Sequence, residues 1–570
     1  MTGHLPFPVY KSIDTRVDPS LALTKAYITN QGAKTMSYAQ YPSQSHNSTN
    51  TKFTIKMSDF TKVDRRFFAE YSIRVNFQQP RNGDDGNFGL RPMPLASTLT
   101  NQTLTIGHYP FVNTTYRNIH AFSHFGTSPE ERNRCMSGIP SFPDQFQTYN
   151  LVDGNGNPLN MGARNPFCDY STNPIESTRK AEIWGTYYDI NGNVLNPGDN
   201  GKAYWISGSL HEPIFIEPLN WSELDVVALN NIDQIELKFD YCNLARMLCD
   251  SRNDASPDRI SSVVWNGDMT LHLLQMDVQD TLPFPSTQLL PLFEINEWAK
   301  EASAPTGSFA SSTIVSDVYD YTSIPACINL FLREDVRSGT PASIANQTDT
   351  FARINHVEIK WGNKSSILST ATEFDLYNIS RRNGNDQSYQ QWHVFQGSVL
   401  RLRPGIDIPL DADLSSGVLK SSNVQYSVNY TNLHEDARTF TLFAIPIYEG
   451  YAVNENKRIT PVIAPLMPGD VIMSQPVPAG LSVPRNFYGG SFGSFMSDLW
   501  SGFKKGFSTV AKIASPVLGA LGTINPAFGV ASQVANGLGS ALGSGKGKGK
   551  RCIKAGSVIS RDELKELAEY

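Results

Sequence analysis

Charge is scarce in this chain. Only 18 % of its 570 residues are Asp, Glu, Lys or Arg, too few for a solvated helical array or a disordered polyelectrolyte. Cysteine is scarcer. The six residues Cys135, Cys168, Cys242, Cys249, Cys327 and Cys552 are scattered without a CxxC pair, which argues against a disulfide framework or a zinc site. No run of eighteen apolar residues occurs, so no conventional membrane-spanning helix is expected. The start, Met1-Thr2-Gly3-His4-Leu5-Pro6, has no basic stretch followed by an apolar one, and no secretory signal is expected. The sequons at Asn47, Asn101, Asn346 and Asn429 then reflect only the abundance of Asn, Ser and Thr. A basic N-terminal arm is also missing. Residues 1–490 hold 38 Lys+Arg against 49 Asp+Glu, a poor basis for neutralising phosphates.

What is abundant points to β-structure. Hydrophobic residues make up 40 %, aromatics 11 %, and there are 42 Gly and 35 Pro. This mix favours an all-β protein with long ordered loops, and the length allows two or more domains. Period-two alternation recurs in Lys52–Met57, Tyr71–Phe77 and Ile235–Asp240, the pattern of strands with one face on a core and one in water. Further strands are expected around 204–216, 234–241 and 269–278. Between them, residues 107–202 carry the turn-rich Asp153-Gly154-Asn155-Gly156-Asn157-Pro158 and Asn191-Gly192-Asn193, and are expected to form a long outward insertion. Residues 280–310 read as a connector with a short helix around 293–301. A second strand series follows at 326–332, 357–361, 398–402, 424–430 and 439–448. Each half is long enough for one sandwich of about eight strands. The expected domains are 1–280, 281–483, and a tail, 484–570.

The tail reverses the charge balance: residues 491–570 hold 10 Lys+Arg and 5 Asp+Glu. Phe492, Phe495, Met496, Leu499, Trp500, Phe503 and Phe507 recur at spacings of three and four, with Asp498, Ser501, Lys504 and Lys505 mainly on the other side. An amphipathic helix is expected over 492–513, interrupted beyond by Pro516 and Pro526. Such a stripe is usually a packed surface helix. Here Gly-rich flanks, proline breaks and the basic cluster Lys546, Lys548, Lys550 and Arg551 favour a helix lying in a membrane interface. Those four charges could equally hold packaged DNA through weak, salt-sensitive contacts. Ser560-Arg561-Asp562-Glu563 is a capping-box pattern before a helix of two or three turns.

No catalytic constellation emerges. Gly489-Gly490-Ser491-Phe492-Gly493 matches G-x-S-x-G only formally, because no His lies beyond His434 to complete a triad. The Asp153 loop has Pro158 where a calcium loop needs Gly and Arg164 where it needs Glu. Gly545-Lys546 lacks the Ser/Thr of a phosphate loop. His120 and His124 sit four apart, as zinc ligands on a helix can, but Ser123 and Phe125 suggest loop or strand, and a structural role is the better reading. No catalytic residue, metal or cofactor is expected, and the chain does not read as an enzyme.

Tyr41-Pro42-Ser43, Phe53, Val63-Asp64-Arg65 and Tyr71–Phe77 together resemble the first strands of the major capsid proteins of virophages and polinton-like elements, the double jelly-roll lineage to which adenoviruses are related. Leu90-Arg91-Pro92-Met93-Pro94-Leu95-Ala96-Ser97 resembles the R-x-x-P-L-x-S stretch that follows them. Ile324-Pro325 before Ile328–Arg333, then Ile354–Leu368, Asp375–Ser380 and Asn383-Gly384, are similar to the second jelly roll. The likeness touches both halves over roughly 38–450. It implies two upright eight-stranded jelly rolls per chain and three chains per pseudo-hexagonal capsomer. The tail, from Gly489-Gly490-Ser491 through Leu499-Trp500-Ser501-Gly502-Phe503-Lys504-Lys505, resembles the membrane-lytic minor capsid protein of adenoviruses. That resemblance implies a cut after Gly490 by a viral cysteine protease, although Phe487 stands where that family has an aliphatic residue. Lys548-Gly549-Lys550-Arg551-Cys552 is similar to the peptide that activates the protease, except that eighteen residues follow Cys552.

The expectation is therefore a major capsid protein of an icosahedral DNA virus or virus-like element, acting by assembly. Its partners would be further copies of itself, penton and minor capsid proteins, the protease, and through the tail a host membrane or packaged DNA. It would reside in the virion after assembly in the host nucleus or cytoplasm, without secretion. The alternative is a β-sandwich attachment protein that binds a receptor or glycan.

Overall fold

Two antiparallel sandwiches follow one another along the chain, each closed over alternating apolar positions. The computed structural model describes residues 33–57, 61–81, 88–126, 138–149, 167, 179–196, 198–219, 229, 232–251, 260–278, 287–335, 339–410, 420–455 and 458–463. The tail beyond 463, with every cleavage, membrane and basic residue named above, lies outside them.

In the first sandwich one sheet runs Ser45–His46, Asn50–Lys56, Gln234–Tyr241, Leu99–Ile106, Tyr109–Asn113. Phe53, Ile55, Ile235, Leu237, Phe239, Leu104 and Ile106 are buried while their neighbours reach solvent, as period-two patterning requires. A facing sheet runs Ala33–Pro42, Thr270–Val278, Phe68–Tyr71, Leu210–Pro213. Beyond it, Ile73–Arg81 pairs with Lys202–Ser207 on one side and Ile260–Trp265 on the other. Tyr241 joins the layers: its ring centroid lies 5.1 Å from that of Trp265, and its hydroxyl donates to Thr51 Oγ1 at 2.7 Å.

The second sandwich is built around the 15-residue strand Thr441–Glu455. Cys327–Arg333 flanks it on one side and Thr287–Ile295 with Trp298–Glu301 on the other. The opposing sheet runs Ser311–Val315, Ser422–Thr431, Arg353–Trp361, Lys364–Ile367. Ile328, Leu330, Leu332, Leu400, Leu402 and Leu442 from one layer meet Val357, Ile359, Trp361, Val424, Tyr426 and Val428 from the other. Burying each such side chain stabilises the fold by about 1.5–3 kcal/mol relative to exposure.

Three expectations change. The segment around 293–301 is extended, not helical: its Glu, Ala and Lys favour helix locally, but Leu290, Leu292 and Phe293 are buried by pairing with the long central strand, and packing overrides that propensity. The supposed connector is thus the opening of the second sandwich. Residues 119–126 form a helix, Ile119–Gly126, so His120 and His124 do share a helical spacing. Residues 107–202, expected to project outward, are partly built into the body: Tyr109–Asn113 and Gly185–Tyr188 extend sheets and Ile119, Ala121, Phe122, Ile139 and Tyr149 are buried, while Ile190 and Val194 stay exposed. The Asp153 loop lies outside the described residues.

A helix the alternation did not suggest, Glu373–Arg382, is closed by a reciprocal capping box. Asp375 N donates to Thr372 Oγ1, and the Asp375 carboxylate accepts from the Thr372 backbone at 2.9 Å.

Gly397 turns the chain into Val399–Leu402 with φ +85°. A Cβ there would lie 1.8 Å from the Phe351 carbonyl oxygen. Gly362, with φ +56°, has open space around it. Gly362→Ala should cost about 1 kcal/mol, the conformational penalty alone. Gly397→Ala should cost several-fold more, because backbone must move. Thermal denaturation of the two variants checks this ordering.

Candidate functional site

The strand Cys327–Arg333 is buried at every position. Ile328, Leu330 and Leu332 fill the sandwich core, so the opposite face, with Asn329, Phe331 and Arg333, needs a cover of its own. The first sandwich supplies it. Phe125, from the helix Ile119–Gly126, lies under the Arg401 guanidinium, 3.5 Å from ring centroid to Cζ, and Arg401 Nε donates to Asn329 Oδ1 at 2.8 Å. Nearby, Arg117 pairs with Glu297 and, at 2.9 Å, with Asp335 of the second half.

At the centre of this junction sits one carboxylate, Asp349, almost fully withdrawn from water. It stands in the loop before Arg353–Trp361. Arg91 Nη1 reaches its Oδ2 at 2.7 Å, Arg246 pairs with Oδ1, and Arg333 Nη2 lies 3.2 Å from Oδ1. His120 Nε2 is 3.2 Å from Oδ2. Arg91, Arg246 and His120 belong to the first sandwich and Arg333 to the second, so the ion cluster straddles both. Arg246 is presented by the turn Leu244–Met247, capped by Asn243. Arg91 also donates to the Tyr149 hydroxyl and the Ile344 carbonyl. A second buried pair, Arg179–Asp144 at 2.8 Å, lies beside it, and Asp144 Oδ2 accepts the Asp349 backbone N–H at 2.7 Å. Gln147 donates to the Phe351 and Gln396 carbonyls, both at 2.8 Å, and Gln396 returns a bond to the Asp144 carbonyl.

Protonation follows from this crowding. Burial opposes the Asp349 charge, but the guanidiniums of Arg246, Arg91 and Arg333 outweigh it and hold its pKa well below the usual carboxylate range. The Arg246 pKa also falls, to about 10, through burial and repulsion from Arg91. Burial drives His120 to about 3, so the ring is neutral. Ser97 Oγ spends its proton on the Pro92 carbonyl and must accept from His120 Nε2 at 2.9 Å, which assigns the Nε2–H tautomer. His124 turns instead to Asp386 at 2.9 Å. The two histidines thus serve different carboxylates across the junction.

This arrangement explains the stretch Leu90–Ser97. Its Arg91 enters the Asp349 cluster and its Ser97 orients His120. Its Leu95 and Ala96 backbone N–H groups both donate at 2.8 Å to the buried Glu212 carboxylate. No spacing rule in the sequence brings positions 91, 120, 246, 333 and 349 together; only the folded junction does. Chemically the site is a lock. The cations face a carboxylate and carbonyls. Among the described residues, one group of three side chains could share a metal ion, Glu70 with His211 and His272, remote in sequence and unmarked by any motif.

Comparison with known proteins agrees with this architecture. The family described as Major capsid protein V20 C-terminal domain matches residues 298–396, a span that contains Arg333 and Asp349. Along most of its length the chain is similar to a protein of Sputnik virophage named "Putative capsid protein V20", with 26 % identity and 92 % of each chain covered. In the 3.5 Å cryo-EM structure of Sputnik virophage, a chain superimposes with a TM-score of 0.69 at 22 % identity, covering 81 % of this chain and 96 % of that one. The mavirus major capsid protein does so with 0.60 at 13 % identity, covering 82 % and 95 %. The fold is a double jelly roll.

Two outcomes follow from the junction. Asp349→Ala leaves three guanidinium groups buried around a void and should destabilise the protein by about 3–5 kcal/mol. Asp317→Asn, which breaks the exposed Lys300–Asp317 pair, should cost under about 1 kcal/mol. Denaturant titration of both variants tests the contrast. His434, pushed down to about 3 by burial and by Arg438, is neutral when folded but takes up a proton below about pH 6.5 when unfolded. Its contribution is full above that pH and is lost on acidification, by about 2 kcal/mol at pH 5. His434→Gln should therefore show a smaller loss of melting temperature between pH 7 and pH 5 than the parent chain.

Proposed function

We propose that this chain is the major capsid protein of an icosahedral DNA virus of the virophage kind, and that it works by assembly. The observation that carries this reading is the fusion of two jelly rolls by a buried ionic junction. A chain made of two similar upright blocks gives six blocks when three copies associate, which fills a hexagonal tile from a trimer. The likeness to virophage capsid proteins over nearly the whole chain supports the same reading. Exposed apolar side chains are available for contacts between copies: Met36 and Tyr38 on an edge strand, and Phe309, Val315, Val318, Phe374 and Val394 on the second sandwich. Permanent interfaces of this class commonly bury more than about 2,000 Å². Residues in 107–202 beyond the described parts would contribute to the outer surface, where decorating proteins or hosts make contact.

In this proposal the tail lies inside the shell. Cleavage after Gly490 would release a segment whose Phe492–Phe507 stripe acts on membranes, with Lys546, Lys548, Lys550 and Arg551 available to lipid or packaged DNA phosphates.

The purified protein should run as a trimer of about 190 kDa, three times 63.1 kDa, and form hexagonal lattices in electron micrographs. A stable monomer that binds glycans and forms no lattice would favour an attachment protein instead. Mass spectrometry of mature particles should find a chain ending at Gly490; one running intact to Tyr570, with no fragment near 490, rejects processing. A peptide of residues 491–513 should leak anionic vesicles, and its failure to do so rejects the lytic role.

A further inference from the structure

On the outer face of the first sandwich three adjacent strands bring together an acid and two imidazoles. Glu70 lies in Phe68–Tyr71, directly opposite His211 of the edge strand Leu210–Pro213. On its other side Glu70 is opposite Thr270, and His272, two residues along Thr270–Val278, faces Phe68. Alternation puts Ala69, Tyr71, Glu212 and Leu271 in the core. It turns Glu70, His211 and His272 outward, where all three are half-buried.

Their donor atoms converge. His272 Nε2 is 2.6 Å from Glu70 Oε2, and His211 Nε2 is 3.7 Å from the same oxygen. The imidazole centroids are 5.7 Å apart with planes at 60°. All three ligand atoms lie within 4.8 Å of one another, whereas donors on a tetrahedral ion with bonds of about 2.0–2.2 Å stand roughly 3.3 Å apart, so changes in donor separation of no more than about 1.5 Å close the set. The carboxylate is already oriented, because Ser209 Oγ donates to Oε1 and leaves Oε2 to the histidines. That bond also keeps the Glu70 pKa below its ordinary value, with smaller help from His272 and His211.

We propose that Glu70, His211 and His272 form a binding site for a divalent transition cation of the zinc class, with Ser209 as the positioning residue. Two nitrogen donors and one carboxylate suit Zn²⁺, Ni²⁺ or Cu²⁺ and do not suit Mg²⁺ or Ca²⁺, which take oxygen ligands. The three ligands come from one side, and the outer side faces solvent, so water completes the coordination. Because each ligand sits on a different strand, a bound ion ties the edge strand to the two beside it and holds that sheet closed.

The test uses the full-length protein, stripped with a chelator and dialysed, titrated calorimetrically with ZnCl₂ at pH 7.5. One Zn²⁺ per chain should bind in the micromolar range and raise the melting temperature, while MgCl₂ should do neither. His211→Ala and His272→Ala should each weaken that binding by at least about tenfold, and Ser209→Ala by about tenfold, the usual size of a lost outer-shell contact. The three side chains are outward-facing, so the variants should keep the parent's circular dichroism and oligomeric size. Absence of saturable Zn²⁺ binding, or binding equally strong in the His211→Ala/His272→Ala double variant, would overturn the proposal and leave a simple Glu–His ion pair cluster.

Discussion

A carboxylate withdrawn from water among three guanidiniums is tolerable only while every one of those groups stays in place. Desolvating such ions costs several kcal/mol each, and the cost is offset only by close, well-oriented partners. Asp349 receives its partners from both sandwiches, so separating the sandwiches would expose uncompensated charge on each side. The junction therefore stabilises one relative placement of the two jelly rolls more than it stabilises either alone. The capsid role proposed above would need that property. Small angular errors in a building block accumulate over a lattice, and a purely apolar interface would permit more sliding than directional ion pairs do.

The same logic accounts for the burial pattern around Cys327–Arg333. Leu330 and Leu332 would suffice for a half-buried strand, yet Phe331 and Asn329 are equally withdrawn because the helix Ile119–Gly126 and its Phe125 cover the far face. The helix Ile119–Gly126 and the segment 144–149, within a stretch that looks like a loop insertion by composition, are thus the mortar between domains. His120 is a neutral structural donor to Asp349 and Ser97, and His124 bonds to Asp386.

Strands with one wet face were legible in the sequence. Asn50–Lys56, Gln234–Tyr241 and Ser422–Thr431 fall where alternation places them, since period two is a local consequence of the pleat. Thr287–Ile295 and Trp298–Glu301 were not legible, because their strand state comes from pairing with Thr441–Glu455 at least 140 positions away and, over 293–301, runs against local helix propensity. The helix Glu373–Arg382 carried a readable signal in Thr372 and Asp375 that the strand-dominated context obscured. The resemblance of Leu90–Ser97 to a capsid motif marked Arg91 and Ser97, but their purpose became visible only with Asp349 and His120 beside them. Glu70, His211 and His272 had no sequence signature, as cross-strand neighbours need share no spacing.

The most direct measurement of the account is whether the two sandwiches unfold as one. Differential scanning calorimetry of the unassembled protein should give a single transition for both sandwiches in the parent chain, with calorimetric and van't Hoff enthalpies in agreement over that transition. Asp349→Ala should split it into two. A parent chain that already melts in two independent steps, indifferent to Asp349, would contradict the claim that the buried junction makes the double jelly roll a single building block.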